Sequence, residues 1–162
     1  MNTNPYAPPL AAVGEVPSQA VAPALWNPNA AANWSLLFTP IFGAFLHMKN
    51  WQALGETGKA RVSRYWVILG AAVFSGFMLL AAVQPQSKGV GSLIRSLGFI
   101  LLLAWYFGSA RAQARYVKER FGSQYPRRGW GKPMLAALGV FTIFMVAMTI
   151  VGVVIGLLSA RP

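Results

Sequence analysis

The residues that could carry proton-transfer or metal chemistry are few and widely spaced in this chain of 162 residues. His47 is the only histidine, aspartate and cysteine are absent, and the three acidic residues are Glu15, Glu56 and Glu119. A serine-histidine-acid relay would have to pair His47 with a distant glutamate, and a hydrolytic metal site would lack ligands. We therefore expect no catalytic residue, no cofactor and no metal, and we interpret His47 as a polar residue near a membrane surface.

A glycine-containing stretch, G-E-T-G-K-A at residues 55–60, has a superficial likeness to a phosphate-binding loop. The early glycine of that motif would fall on Ala53 and its Ser or Thr on Ala60, so nucleotide binding is not predicted. The net charge of +11 would suit nucleic acid only on a basic face of a soluble fold. Here the charges lie between apolar runs, and we expect no nucleic-acid partner.

The composition is that of a membrane protein, with 56% hydrophobic and 10% charged residues. Soluble domains carry about 25% charged residues. A hydrocarbon core of about 30 Å needs roughly 20 helical residues. Residues 66–83, 93–110 and 134–160 are long and apolar enough, which predicts an all-α, polytopic transmembrane helical bundle.

Residues 30–48 are ambiguous because polar residues dilute an apolar stretch and Pro40 lies at its centre. Proline bends a helix and frees a backbone carbonyl. The segment is therefore either a kinked first span or a re-entrant or interfacial helical hairpin. Residues 1–29 hold six of the eleven prolines and predict a disordered tail ahead of a helical membrane domain at 30–162.

Basic residues accumulate on the cytoplasmic side of membrane proteins. Of the 14 Lys and Arg residues, all but Lys88, Arg95 and Arg161 lie in residues 49–64 and 111–133. Both loops are predicted to be cytoplasmic and the C-terminus to lie on the opposite side. The N-terminal tail lies outside if residues 30–48 span the membrane and inside if they turn back.

Small residues spaced four apart permit close helix approach in membranes. They occur as Ala72 and Gly76, Ala104 and Gly108, and Gly152 and Gly156, and they could join protomers or pack helices of one chain. Basic residues around a predicted helix that ends at Gly122 could bind anionic lipid headgroups or simply orient the chain. They are Arg111, Arg115, Lys118, Arg127, Arg128 and Lys132.

Residues 26–55 read W-N-P-N-A-A-A-N-W-S-L-L-F-T-P-I-F-G-A-F-L-H-M-K-N-W-Q-A-L-G. This block resembles one found in small, mostly uncharacterised inner-membrane proteins of proteobacteria. The likeness rests on Trp34-Ser35, Phe38-Thr39-Pro40, Phe42-Gly43-Ala44 and Asn50-Trp51. It implies a bacterial inner-membrane location, no enzyme and no cofactor, and through an association with toxin gene neighbourhoods it suggests an immunity role. In an inner membrane, the orientation predicted from the basic residues makes the C-terminus periplasmic.

Within this block, either a structural bend or partner recognition explains the polar and aromatic residues. The candidates for partner contact are Asn33, Trp34, Pro40, Gly43, His47 and Trp51. We expect a non-enzymatic membrane protein that acts through helix contacts with another membrane protein or a membrane-targeted toxin. The alternatives are an oligomeric small channel or transporter component and an anionic-lipid-binding scaffold.

Overall fold

The chain folds into helices. A computed structural model describes residues 21–84 and 87–159. The helices are α1 (Pro28–Ala53), α2 (Thr57–Val83), α3 (Lys88–Trp105), α4 (Arg111–Phe121) and α5 (Gly131–Ser159). A π-helical turn, Tyr106–Ala110, joins α3 to α4. The described part of the chain contains no sheet, only an isolated bridge between Leu25 and Arg127, and the all-α prediction is confirmed.

Helix α1 is a helical hairpin with a break at Thr39. Thr39 has φ 74° and ψ 159°, and Pro40 follows it. The two arms, residues 28–38 and 40–53, run antiparallel, since the His47 ring reaches the carbonyl of Pro28. At 1.5 Å per residue the arms measure about 16 and 21 Å, too short for a 30 Å core. The structure therefore shows the helical hairpin of the re-entrant or interfacial alternative for residues 30–48 and not one kinked span.

The tip of the hairpin, residues 36–42, reaches the middle of the bundle. Ile41 packs on Gly70, where an added methyl group would lie 2.8 Å from Ile41 Cγ1. Gly70 lies 13 positions beyond Thr57, or about 20 Å along a helix of about 40 Å. Leu36 and Leu37 at the tip are 68% and 74% exposed, as expected of side chains that face hydrocarbon.

Within residues 21–84 and 87–159, three helical stretches are long and apolar enough to cross a membrane. They are Thr57–Val83, Lys88–Phe121 and Gly131–Leu158, which contain most or all of the three predicted spans. The second includes α4, as expected for a helix that continues the span and ends at Gly122, whose φ is 60°. Helix α2 begins nine residues before the predicted span because its first turns carry basic residues that suit the polar membrane surface.

One end of the bundle, which we call the base, gathers residues 25–28, 47–59 and 111–130. The Leu25 amide donates to Pro126 O at 2.9 Å, and the Arg128 amide donates to Leu25 O at 2.9 Å. Both predicted cytoplasmic loops therefore lie at one end together with the start of α1. The tail boundary predicted at residue 29 is wrong, because Leu25 is fully buried by the loop and α1 begins at Pro28. Residues 1–20 of the predicted tail lie outside the described residues.

The tightest packing surrounds Trp105 on α3, which is fully buried. Its ring lies against Gly43, and the His47 ring meets it edge-on at 5.5 Å between centroids. A β-carbon on Gly43 would collide with Ser35 Oγ and with the Trp105 ring. Glycine at position 43 thus allows the second arm of the hairpin to approach both the first arm and α3.

Helix α5 lies at the periphery. From Gly131 to Leu158 none of its residues is buried. It meets α2, where the Phe74 and Phe144 rings stack with centroids 5.0 Å apart. Most of its apolar surface therefore faces lipid or a partner.

Candidate functional site at the base of the bundle

A buried amide network closes the open end of the hairpin. Asn50 Oδ1 accepts from the Trp26 amide at 3.0 Å, and Asn50 Nδ2 donates to Trp26 O at 2.8 Å. The same Nδ2 donates to Gln113 Oε1 at 3.2 Å, while Gln113 Nε2 donates to His47 O at 2.8 Å. Asn50 and Gln113 are fully buried and cannot hydrogen-bond to water. These bonds supply the partners that their buried amides need. The network joins the hairpin to α4.

His47 contributes to this closure from the second arm. Its Nε2 lies 3.1 Å from Pro28 O, which fixes the tautomer with the proton on Nε2. Its Nδ1 and the Trp105 indole nitrogen are buried and have no hydrogen-bond partner among the described residues. In the described part of the chain, no three His, Cys, Asp or Glu residues come close enough to hold a metal ion.

A second polar group links the start of α2 to α4, and we call it the Glu56 cluster: Glu56, Lys59, Tyr116 and Arg120. Tyr116 donates to Glu56 Oε1 at 2.7 Å, and Lys59 Nζ lies 3.3 Å from Glu56 Oε2. Arg120 donates to the Tyr116 hydroxyl at 3.2 Å. The hydrogen bond from Tyr116, followed by that from Lys59, lowers the pKa of Glu56 below its usual value. The cluster braces α2 against α4.

A cavity of about 400 Å³, the basal cavity, opens between the start of α1, helix α4 and the loop after it. Its wall includes Lys118, Ser123, Tyr125 and Arg127. Burial raises the pKa of the Tyr125 phenol, an effect that nearby Arg127 partly offsets. A second cavity, of about 350 Å³, lies among apolar residues of the hairpin tip, α2 and α3.

Neither protein-family models nor curated proteins nor solved structures match this chain. The resemblance of residues 26–55 to proteobacterial inner-membrane proteins therefore stays a prediction from those residues.

Five of the six predicted headgroup residues lie at the base, and Lys132 lies just beyond it in the first turn of α5. Arg111, Arg115, Lys118, Arg127 and Lys132 are exposed, and Arg128 is half-buried beneath the network. The Arg128 guanidinium lies 4.7 Å from the centroid of the Trp26 ring. Only Lys118 and Arg127 of this set line the basal cavity. The structure thus places Lys118 and Arg127 at the cavity and the other four basic residues of the set outside it.

The six residues predicted for partner contact separate into two classes. Asn33 is exposed, and Trp34 and Pro40 are half-buried on the first arm and tip. Gly43, His47 and Trp51 are buried in contacts within the chain. The structural interpretation of the bend accounts for these three.

The predicted small-residue faces do not pack helices of one chain together, with one exception. Ala72, Gly76, Ala104, Gly152 and Gly156 are exposed. A β-carbon on Gly76, Gly152 or Gly156 would meet nothing within 4 Å, whereas one on Gly108 would lie 3.4 Å from the Trp66 ring. The glycines that admit close contact are Gly43 and Gly70. No described residue therefore packs closely on Gly76, Gly152 or Gly156, and their joining of protomers stays a prediction.

Sequence reasoning missed Gln113, Trp26 and Tyr116. Gln113 lies in R-A-Q-A-R, a pattern typical of an exposed helix. The one sequence feature that sets Gln113 apart is that it is polar and uncharged and lies between Arg111 and Arg115. Tyr116 carried no signal, because its partner Glu56 is 60 positions away.

Proposed function

We propose that this chain is a non-enzymatic, multi-pass protein of a bacterial inner membrane that binds another membrane protein through α5. The observation that supports this function is the exposure of most of the apolar surface of α5 outside its contact with α2. In lipid, apolar surface alone gives helices little reason to associate, and small residues that admit a close neighbour supply it. Gly152 and Gly156 form such a surface on α5, and among the described residues nothing lies within 4 Å of a methyl group added at either position.

The contacts at the base support this proposal because they leave α5 available for a partner. The amide network and the Glu56 cluster hold α1, α2 and α4 together by contacts that α5 does not enter. Helices α1, α2 and α4 are therefore joined to one another, while α5 is exposed on most of its surface. The basic loops at the base favour a cytoplasmic location for that end, with α5 running toward the periplasm.

A concrete form of the role is immunity. A membrane-targeted toxin must assemble helices or pores within the membrane of the attacked cell. A resident protein with a free, glycine-bearing span can occupy the surface through which such helices would associate. This form draws on the resemblance of residues 26–55 to inner-membrane proteins found near toxin genes.

The test is purification of the tagged, full-length protein from its native cells in nanodiscs, with mass spectrometry of co-purifying proteins. The double variant Gly152→Leu, Gly156→Leu should lose a stoichiometric membrane or toxin partner. Gly139→Leu is the matched control, since Gly139 is also exposed and lies about 140° around α5 from Gly152. The control should keep the partner.

Two outcomes would contradict the proposal. A partner retained by the double variant would place the interface elsewhere. Recovery of the chain alone, as a defined oligomer, would favour the channel alternative, and ion flux from the purified protein in liposomes would then decide it.

A further inference from the structure

The basal cavity is an open depression bounded by α4, the loop after it and the start of α1. Its volume is about 400 Å³. One wall is α4, where Val117 is buried, and the opposite wall is the start of α1. The loop that carries Arg127 is held by the two backbone hydrogen bonds of Leu25, each 2.9 Å long. The backbone positions of Lys118 and Arg127 are therefore set on two braced elements that face one space.

The two cations of the cavity are not neutralised within the described residues. The one ion pair found there joins Lys59 to Glu56 and belongs to the Glu56 cluster. Glu119 adjoins Lys118 in sequence but does not line the cavity. An anion that entered would meet two positive charges and no carboxylate, which favours its binding.

The uncharged groups of the wall suit the same ligand. Ser123 and Tyr125 carry hydroxyl groups that can donate hydrogen bonds, and the raised pKa of Tyr125 keeps its phenol protonated. Phosphate oxygens accept hydrogen bonds and match a set of donors and cations. The first amides of α1 take no part, because the Asn27 side chain already accepts from Asn29 and Ala30 at 3.0 and 3.3 Å.

The position of the cavity indicates where the phosphate comes from. The cavity lies at the base, beside the helix that continues the second span and on the end that carries most of the basic residues. Trp26 and Trp130 are also at this end, and tryptophan prefers the headgroup level of membranes. We infer that the basal cavity binds the phosphate group of an anionic phospholipid between Lys118 and Arg127.

The experiment uses the full-length protein in mild detergent, titrated with short-chain phosphatidylglycerol and followed by native mass spectrometry. Lys118→Gln with Arg127→Gln should weaken binding at least about tenfold, since each basic residue near anionic headgroups contributes appreciably. The matched control, Arg111→Gln with Arg115→Gln, removes the same charge from exposed positions outside the cavity. Its affinity should stay within about twofold of the parent. All four residues lie at the surface, and far-ultraviolet circular dichroism checks that both variants remain helical.

Three results would overturn the inference. Equal weakening in both double variants would mean diffuse attraction to the base rather than a site. Equal binding of phosphatidylcholine would remove the requirement for an anionic headgroup. Inorganic phosphate that binds as tightly as phosphatidylglycerol and displaces it would make the ligand a soluble phosphate.

Discussion

The side-chain amide of Asn50 pairs with both backbone groups of Trp26, much as a neighbouring strand would. The Trp26 N–H donates to Asn50 Oδ1 at 3.0 Å, and Asn50 Nδ2 donates to Trp26 O at 2.8 Å. One fully buried side chain therefore fixes the chain just before α1 to the far end of the second arm. The hairpin is closed at its base by an amide and at its tip by a turn.

The first prediction concerns this pair. Asn50→Ala should destabilise the protein by about 2–4 kcal/mol, because it leaves the Trp26 backbone groups and Gln113 Oε1 without their partner in a buried place. Thermal unfolding in detergent measures the change. Asn33→Ala is the control at an exposed position of the same hairpin and should change stability by less than about 0.5 kcal/mol. Equal effects of the two substitutions would contradict the assigned role of Asn50.

The second prediction concerns close packing at Gly43. Gly43→Ala should destabilise the fold by about 1–3 kcal/mol, because its methyl group would overlap Ser35 and the Trp105 ring. Gly76→Ala is the matched control, with nothing within 4 Å of the added carbon. Alanine favours helix over glycine by about 1 kcal/mol, so the control should be neutral or slightly stabilising. Unfolding curves of the two variants give the comparison, and a stable Gly43→Ala protein would contradict it.

The third prediction tests the re-entrant hairpin. Since the chain has no cysteine, single introduced cysteines can be labelled with a membrane-impermeant maleimide without first removing native cysteines. Val21→Cys and Gln124→Cys should label from the same side of the membrane, because the base holds both segments together. Leu37→Cys at the tip should resist labelling from either side. Labelling of Val21→Cys from the side opposite to Gln124→Cys would restore a spanning α1.

The fourth prediction is a pH dependence carried by Glu56. A carboxyl group whose pKa is lowered in the folded state contributes stability that is present above its unfolded pKa and lost as the pH falls through its folded pKa. The lowered pKa of Glu56 places this loss below the usual value of 4.5. The apparent unfolding temperature should therefore fall more steeply on acidification in the parent than in Glu56→Gln. Glu119→Gln, at an exposed position, should keep the steeper parental dependence.

The three spans could be predicted from the sequence, whereas the hairpin could be predicted only as one of two alternatives. Charge-free apolar runs identify α2, α3 and α5 because lipid demands them over a fixed length. Residues 30–48 are too polar for a typical span and too apolar for a loop. The periodicity of their apolar residues cannot distinguish one bent helix from two short antiparallel helices. What decides between them is Thr39 at positive φ and the hydrogen bonds of Asn50 at sequence separations of 24 and 63. Contacts of that range leave no local pattern.

The candidate site was predictable in its charges and not in its shape. Lys118 and Arg127 belong to a cluster of basic residues that is evident in the sequence. That both line one cavity depends on the hydrogen bonds of Leu25 with residues 126 and 128. The small-residue motifs failed as indicators of packing within the chain for a related reason. Whether a glycine admits a neighbour depends on the side chain opposite, and Gly43 and Gly70 face Trp105 and Ile41.

The bonds at the base also set an order of events during synthesis. The Trp26 indole donates to Gly129 O at 3.1 Å, across 103 positions of sequence. At 5–20 residues per second the ribosome needs about 5–20 s to make the chain between them. Both arms of α1 are made in the first part of that interval, before their partners on α4 and the following loop exist. Attachment of the hairpin to α4 and the following loop is consequently a late step of biogenesis, completed by the second half of the polypeptide.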